Sequence, residues 1–289
     1  MTKFRDHEQL EATLPQGVVR YRELGTGDPI LFVHGLLVNS LLWADTAELL
    51  ANEFRVIVPD WPLGSHTAPL KQGVDMRPPA LAQLIADFMA ALELDNVTLV
   101  GNDTGGALSQ LVAVHHGERV GRLVLTDCDS YEEFPPPSFA PLMFAGRIPG
   151  AVWLIATAMH ARFVRQLPIA YGWLTKRPIA PETMASFLRP VQSDARIRKE
   201  LAAALRGVDK RHTLEAAARF REFDKPVLIA WAPEDRFFKF RSAERLAGDF
   251  PNARLERIED ALTFVSLDQP RRTAELIGAF AREPVGAVL

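Results

Sequence analysis

The segment from Leu99 to Leu108 carries the most pointed chemistry in the chain. Its apolar start reads as a strand that runs directly into a helix through Gly101-Asn102-Asp103-Thr104-Gly105. Small residues around Asp103 let strand and helix approach closely, so the central side chain stands out at the strand end on a sharp, strained turn. A carboxylate placed there can act as a nucleophile. Its reference pKa is near ~3.9, so at neutral pH it is already ionised and needs no base to attack an electrophilic carbon. The plainer reading of the same residues is a strand–helix turn capped by Asp103.

Two further places line up with it. The apolar run Pro29–Val33 ends at His34-Gly35-Leu36, where backbone N–H groups can stabilise an oxyanion. The run Pro226–Trp231 leads into Ala232-Pro233-Glu234-Asp235, which offers Asp235 as a supporting acid.

Apolar patterning supplies the elements that must position these residues. Strands are expected at Gly17–Leu24, Pro29–Val33, Arg55–Val58, Val97–Gly101 and Arg122–Thr126. Helices are expected at Ser40–Asn52, Pro79–Leu94 and Gly105–Gly117. Short, nearly all-apolar strands alternating with helices imply an α/β fold, a mostly parallel doubly wound sheet covered on both faces. From about Tyr131 to His212 the strands stop. This stretch opens with Phe134-Pro135-Pro136-Pro137 and continues in helical segments broken by prolines. The rhythm resumes at Pro226–Trp231, continues through Ala253–Arg257 and ends in a helix over Pro270–Arg282. The expected organisation is a core of residues 1–131 and 213–289 with a helical cap over 132–212. Ligands in such sheets bind at the carboxyl ends of the strands, so the cap closes a pocket there. The segment Trp61-Pro62-Leu63-Gly64, just after Arg55–Val58, is a candidate for a further wall of that pocket.

With these three motifs in order, the chain from about Gly17 to Ala281 resembles the α/β-hydrolases of the haloalkane dehalogenase and epoxide hydrolase branch. The resemblance implies Asp103 as nucleophile and the backbone N–H groups of Leu36 and Thr104 as oxyanion or halide hole. It implies His34 beside the oxyanion loop and Asp235 as the acid that orients a histidine after the last strand. In the matching stretch, Ile258–Val265, Thr263 stands where the family carries that histidine. No histidine follows His212.

The missing histidine divides the expected chemistry. Ester formation on Asp103 needs no base. Hydrolysis of that ester does, and a positioned base contributes ~10²–10⁴-fold; a threonine hydroxyl has no basic form at neutral pH. Substitute bases could come from His66, on the loop after Arg55–Val58, or from Asp129, after Arg122–Thr126. Asp127, His160 and His212 are further candidates. Each also has a local structural explanation as a solvated loop or cap residue, or as a partner for nearby backbone. Three functions stay open: a hydrolase with a displaced base, a non-hydrolytic lyase- or cyclase-like enzyme, and a ligand-binding homologue without catalysis. Thr104 and Leu36 replace the indole or amide donors of dehalogenases. Of the tyrosines, only Tyr171 lies well inside the cap, with Tyr131 at its start, where epoxide hydrolases use two. The expected substrate is small and largely apolar with one polar reacting group. Phe134, Phe139, Phe144, Trp153, Phe163, Tyr171 and Trp173 are candidates to line its pocket.

Composition bounds the rest. The chain has 289 residues, one cysteine (Cys128), 33 basic and 36 acidic residues and a net charge of −3. No intramolecular disulfide can form. The overall charge gives no electrostatic case for nucleic acid or an anionic membrane. No metal-binding or nucleotide-binding motif occurs, so no metal or cofactor is expected, and the expected partner is a small-molecule substrate. The first residues lack the apolar stretch of a secretory leader, which makes the cytoplasm the default expectation. Oligomeric state is left open.

Overall fold

The structure, a computed structural model, describes residues 3–283. The outermost residues of the two expected core segments, 1–2 and 284–289, lie outside that range. Eight strands form one sheet: β1 (Leu10–Leu14), β2 (Gly17–Leu24), β3 (Pro29–Val33), β4 (Arg55–Pro59), β5 (Val97–Asp103), β6 (Val120–Cys128), β7 (Val227–Trp231) and β8 (Ala253–Arg257). Their order is β1-β2-β4-β3-β5-β6-β7-β8. β1 and β2 pair antiparallel, β2 meets β4 antiparallel, and every later pairing is parallel. β5 lies centrally, and every residue of β6 is buried, as a strand covered on both faces requires.

The core helices are α1 (Ala44–Leu50), α2 (Pro78–Ala91) and α3 (Thr104–His115). The expected single helix over Ser40–Asn52 is split: a short 3-10 turn, Ser40–Trp43, precedes α1. Asn39 caps that turn by accepting from the Leu41 N–H. β1 adds a strand that the sequence pattern does not announce, because five residues with mixed exposure give little alternation to read.

Between β6 and β7 the chain is helical. It forms α4 (Ala140–Ala145), α5 (Ala151–Ala158), α6 (Arg162–Arg165), α7 (Pro181–Ser193), α8 (Ala195–Gly207) and α9 (Lys210–Ala217). α5, α7 and α8 pack on one another, with a small cluster of Val152, Ala156, Val191, Ile197, Leu201 and Leu205 between them. α9, which carries His212, packs instead on α3 of the core. The chain then completes the sheet with α10 (Phe240–Asp249), α11 (Val265–Asp268) and α12 (Pro270–Arg282).

One buried carboxylate ties the helical insertion to the core. Asp268 accepts from the backbone N–H groups of Lys176 and Arg177 in the insertion and from Leu262 N–H, each at 2.9–3.0 Å. Charge-assisted bonds of this kind are shorter and stronger than neutral ones. An acid in a late helix has no motif around it, so the sequence alone does not single out Asp268.

Candidate active site

β5 passes into α3 with no intervening loop. Asp103, at the junction, has φ 55° and ψ −134°, a backbone conformation that costs of order 1–3 kcal/mol for a non-glycine residue and persists only where its surroundings enforce it. Two glycines do so by close approach. A Cβ on Gly105 would overlap the carbonyl oxygens of Val33 and His34, and a Cβ on Gly35 would overlap the Asp103 carboxylate itself. The helix start is thereby pressed onto the end of β3, and the Asp103 side chain lies directly over the His34-Gly35-Leu36 turn.

The N–H groups of Thr104 and Leu36 are directed at the Asp103 carboxylate and favour its charged form. Burial works against them and is the larger effect. With a smaller contribution from the negative charge of Asp235, it pushes the Asp103 carboxyl up to about 7. His34 does not share in this site. It is fully buried; its Nδ1 lies 2.9 Å from the Gly35 carbonyl, and its Nε2 accepts from the Trp61 N–H at 2.8 Å. An Nε2 that accepts leaves the proton on Nδ1, and burial lowers the His34 pKa to about 4, so the ring is neutral. The expected oxyanion or substrate role for His34 is therefore corrected: it shapes the turn that presents Leu36 and does not line the cavity.

That cavity encloses about 300 Å³. Its polar end is formed by Asp103, Thr104 and Asp129; apart from these the wall is almost wholly apolar. Asp129 is buried. Its Oδ2 accepts from Thr104 Oγ1 at 3.1 Å, and its Oδ1 is buried with no partner. Burial first, then the nearby charge of Asp103, holds the Asp129 carboxyl well above the ordinary carboxylate range. Asp103 has two backbone N–H groups to stabilise its charge and Asp129 has one hydroxyl. A single negative charge shared between the two therefore rests on Asp103, with the proton on Asp129.

His66, the other candidate base, is taken elsewhere. Its Nε2 is 2.7 Å from Glu200 of α8, and it is not among the cavity residues. Sequence does not show this, because Glu200 is 134 positions away. His160 is exposed and bonds the Thr157 carbonyl; His212 is buried on α9.

Thr263, where the sequence resemblance leads one to expect a histidine, is fully buried, and its backbone carbonyl accepts from Asn102 Nδ2 at 2.8 Å. Asn102 also donates to Thr126 and Asp127 at the end of β6. Asp235 accepts from the N–H groups of Phe237 and Phe238 at 2.6 and 2.8 Å. The Thr263 hydroxyl lies near enough to favour the Asp235 carboxylate, yet burial dominates and raises its pKa to about 6. Neither Thr263 Oγ1 nor Asp235 Oδ2 has a partner of good hydrogen-bond geometry. Asp127 accepts from Ala232 N–H at 3.0 Å and is pushed well up, by burial and then by Asp235. Of these two buried acids, Asp235 faces the Thr263 hydroxyl, which is not a base. In the sequence Asn102 is only the variable residue of the elbow; its polar type after Leu99, Val100 and Gly101 is the available signal of this bridging role.

The cap aromatics divide. Phe134, Phe139 and Tyr171 line the cavity, and Tyr171 donates its hydroxyl to the Leu37 carbonyl at 2.6 Å. Phe144, Trp153, Phe163 and Trp173 do not line it; all four are exposed. The Trp61–Gly64 segment is not a wall either: none of its residues lines the cavity, and Trp61 is buried, with its Nε1 donating to the Phe32 carbonyl.

The mostly parallel eight-stranded sheet flanked by helices agrees with comparisons to known proteins. The family description of the alpha/beta hydrolase fold matches residues 28–270. The chain belongs to this family. Haloalkane dehalogenase 2 of Mycobacterium tuberculosis is 30% identical over 269 residues, 91% of each chain. Among solved structures, a variant of the haloalkane dehalogenase DatA from Agrobacterium tumefaciens superposes with a TM-score of 0.78 at 21% identity, covering 96% of this chain and 97% of that one. A thermophilic esterase from Thermogutta terrifontis superposes at 0.74 with 22% identity, covering 95% and 98%. The alpha/beta hydrolases thus include relatives of dehalogenase type, and at these identities the solved structures speak to the fold.

Proposed function

We propose that this alpha/beta hydrolase opens small apolar electrophiles by attack of Asp103, and that Asp129 moves the proton a histidine moves in its relatives. The observation that supports this most is the Asp129 carboxyl on the same cavity wall, anchored through Oδ2 and free at Oδ1. The resting pair carries one charge and one proton. Ionised Asp103 attacks carbon, the bond from that carbon to its leaving oxygen breaks, and Asp129 gives that oxygen its proton. An ester now joins Asp103 to the substrate. Asp129 has given up its proton, and with Asp103 neutral the repulsion that added to its burial is gone; the burial that remains makes the Asp129 carboxylate a stronger base than an ordinary one. It takes a proton from water as the water oxygen adds to the Asp103 carbonyl carbon. The N–H groups of Leu36 and Thr104 receive the oxyanion. Collapse expels the alkoxide, which takes the proton shed by the re-formed Asp103 carboxyl. The pair returns with Asp103 ionised and Asp129 protonated.

A protonated partner is useful when the leaving atom is a basic oxygen, as in an epoxide, and idle when it is a halide. With the Thr104 hydroxyl given to Asp129 and Leu36 apolar, no side chain is left there to bind a halide, so strained carbon–oxygen electrophiles are the first substrate class. Haloalkanes are the second, on the strength of the dehalogenase relatives. A single turnover in water labelled with heavy oxygen tests the mechanism. Attack through Asp103 puts the label in the Asp103 carboxylate and leaves the first product unlabelled. A labelled first product with an unlabelled protein would make Asp103 a base rather than a nucleophile.

A further inference from the structure

Apart from Leu49, every large apolar side chain exposed among the described residues lies between 144 and 173. Phe144, Ile148, Trp153, Leu154, Phe163 and Ile169 are 47–72% exposed. Such a concentration on one part of a surface marks a contact site. The same stretch has an unusual charge. From Phe134 to Pro181 there is no Asp or Glu, while Arg147, Arg162, Arg165, Lys176 and Arg177 are all basic. The chain-wide charge of −3, which argued against an anionic surface, averages over this asymmetry. Lys176 and Arg177 are paired with Glu234 and Asp260. Arg147, Arg162 and Arg165 form no ion pair among the described residues. Arg162, Arg165, Lys176 and Arg177 line one surface groove of about 490 Å³.

The cavity connects to this region. Of the residues that line it, the exposed ones are Pro141, Ala158, Leu167 and Ile169. Its mouth is therefore apolar and opens among the exposed aromatic and aliphatic side chains of α4–α6 and the turn after α6.

We propose that this face of the cap seats on an anionic lipid surface, with the exposed aromatic and aliphatic side chains in the headgroup–acyl boundary and the arginines on lipid phosphates. Apolar side chains bordered by Arg are the composition of an interfacial anchor, and Trp is favoured at that depth. Among the described residues no helix is long and apolar enough to cross a membrane, so the attachment is peripheral. An apolar molecule dissolved in the bilayer then meets the cavity mouth without passing through water. That delivery rests on the cavity reading given above. The seating does not, and it is measured with no substrate present.

The experiment is co-sedimentation of the full chain with phosphatidylglycerol vesicles and with phosphatidylcholine vesicles at low and high salt. Binding is expected to phosphatidylglycerol, weaker at high salt as screening requires, and at least tenfold weaker to phosphatidylcholine. Arg147→Glu and Arg162→Glu are each expected to weaken binding by about fivefold or more, the contribution of one basic residue at such a surface. Phe163→Ser with Leu154→Ser is expected to abolish it. These positions are exposed, so circular dichroism should report an unchanged fold. Absence of binding to phosphatidylglycerol at low salt overturns the proposal. So does equal binding to both lipids, or a soluble dimer that Phe163→Ser dissociates, since the face would then belong to a second copy of the chain.

Discussion

Asp129→Asn is expected to halt turnover after the covalent step. The amide keeps the size of the side chain and can still accept from Thr104 Oγ1, so the cavity wall should stand. What it loses is the capacity to take a proton from water. With a haloalkane, whose leaving group needs no proton, Asp103 should still be alkylated. Intact mass should then show the protein carrying one alkyl group, while steady-state turnover falls by ~10²–10⁴, the usual contribution of a general base. With an epoxide the first step should slow as well, because the substituted amide has no acidic proton to give. If this variant turns over either substrate at the wild-type rate, the proton travels by another route and the Asp103–Asp129 pair is not the catalytic unit.

Asp103→Asn should abolish turnover on every substrate and, at the same time, make the protein more stable at alkaline pH. The two effects share one cause. The folded chain holds the Asp103 carboxyl at about 7, mainly by burial, whereas the unfolded chain releases that proton near ~3.9. Between these values the folded state binds more protons than the unfolded one, so stability falls as pH rises through the window. The amide removes that loss. Thermal unfolding should place the variant above wild type at pH 8 by an amount on the order of a few kcal/mol, a shift of several degrees. Near pH 4 the pH-dependent part of this gap should be gone. A gap of equal size at both pH values would mean that Asp103 ionises as an ordinary carboxyl. The same titration governs catalysis: kcat/KM should fall as pH drops below about 7, when Asp103 takes up a proton.

The fold is legible where short apolar runs alternate with helices, and β3, β7, β8 and α12 begin and end within a residue of their expected limits. β1 is not, because a five-residue antiparallel edge strand has no local signature beyond propensity. At the site, local chemistry is legible and distant pairing is not. The small residues around Asp103 announce a close turn, and the overlap that any Cβ at Gly35 or Gly105 would meet gives the reason. That Thr263 follows β8 within the loop before α11 can be read by counting from β8. That His66 turns to Glu200 cannot, since nothing near it encodes the contact, and the polar type of Asn102 marks a bridging residue without naming its partner, the Thr263 carbonyl 161 positions away. The cap aromatics mislead for a related reason. On short helices that contact the core on one side only, an aromatic faces the cavity or the solvent according to a rotation that periodicity over six or eight residues does not resolve.

The apolar rim of Pro141, Ala158, Leu167 and Ile169 also sets the direction of traffic. Hydrolysis adds hydroxyl groups, and a hydroxyl that finds no partner in apolar surroundings costs about 1–3 kcal/mol. The polar groups of the wall are Asp103, Thr104 and Asp129, which perform the reaction, and Tyr171, whose hydroxyl is already given to the Leu37 carbonyl, so an alcohol or diol trades good partition into the cavity for good partition into water. Release should therefore be faster than it would be from a site lined with hydrogen-bonding groups. The inhibition constant of the product should exceed the KM of its parent by about tenfold or more, so that the chemistry itself ejects what it makes.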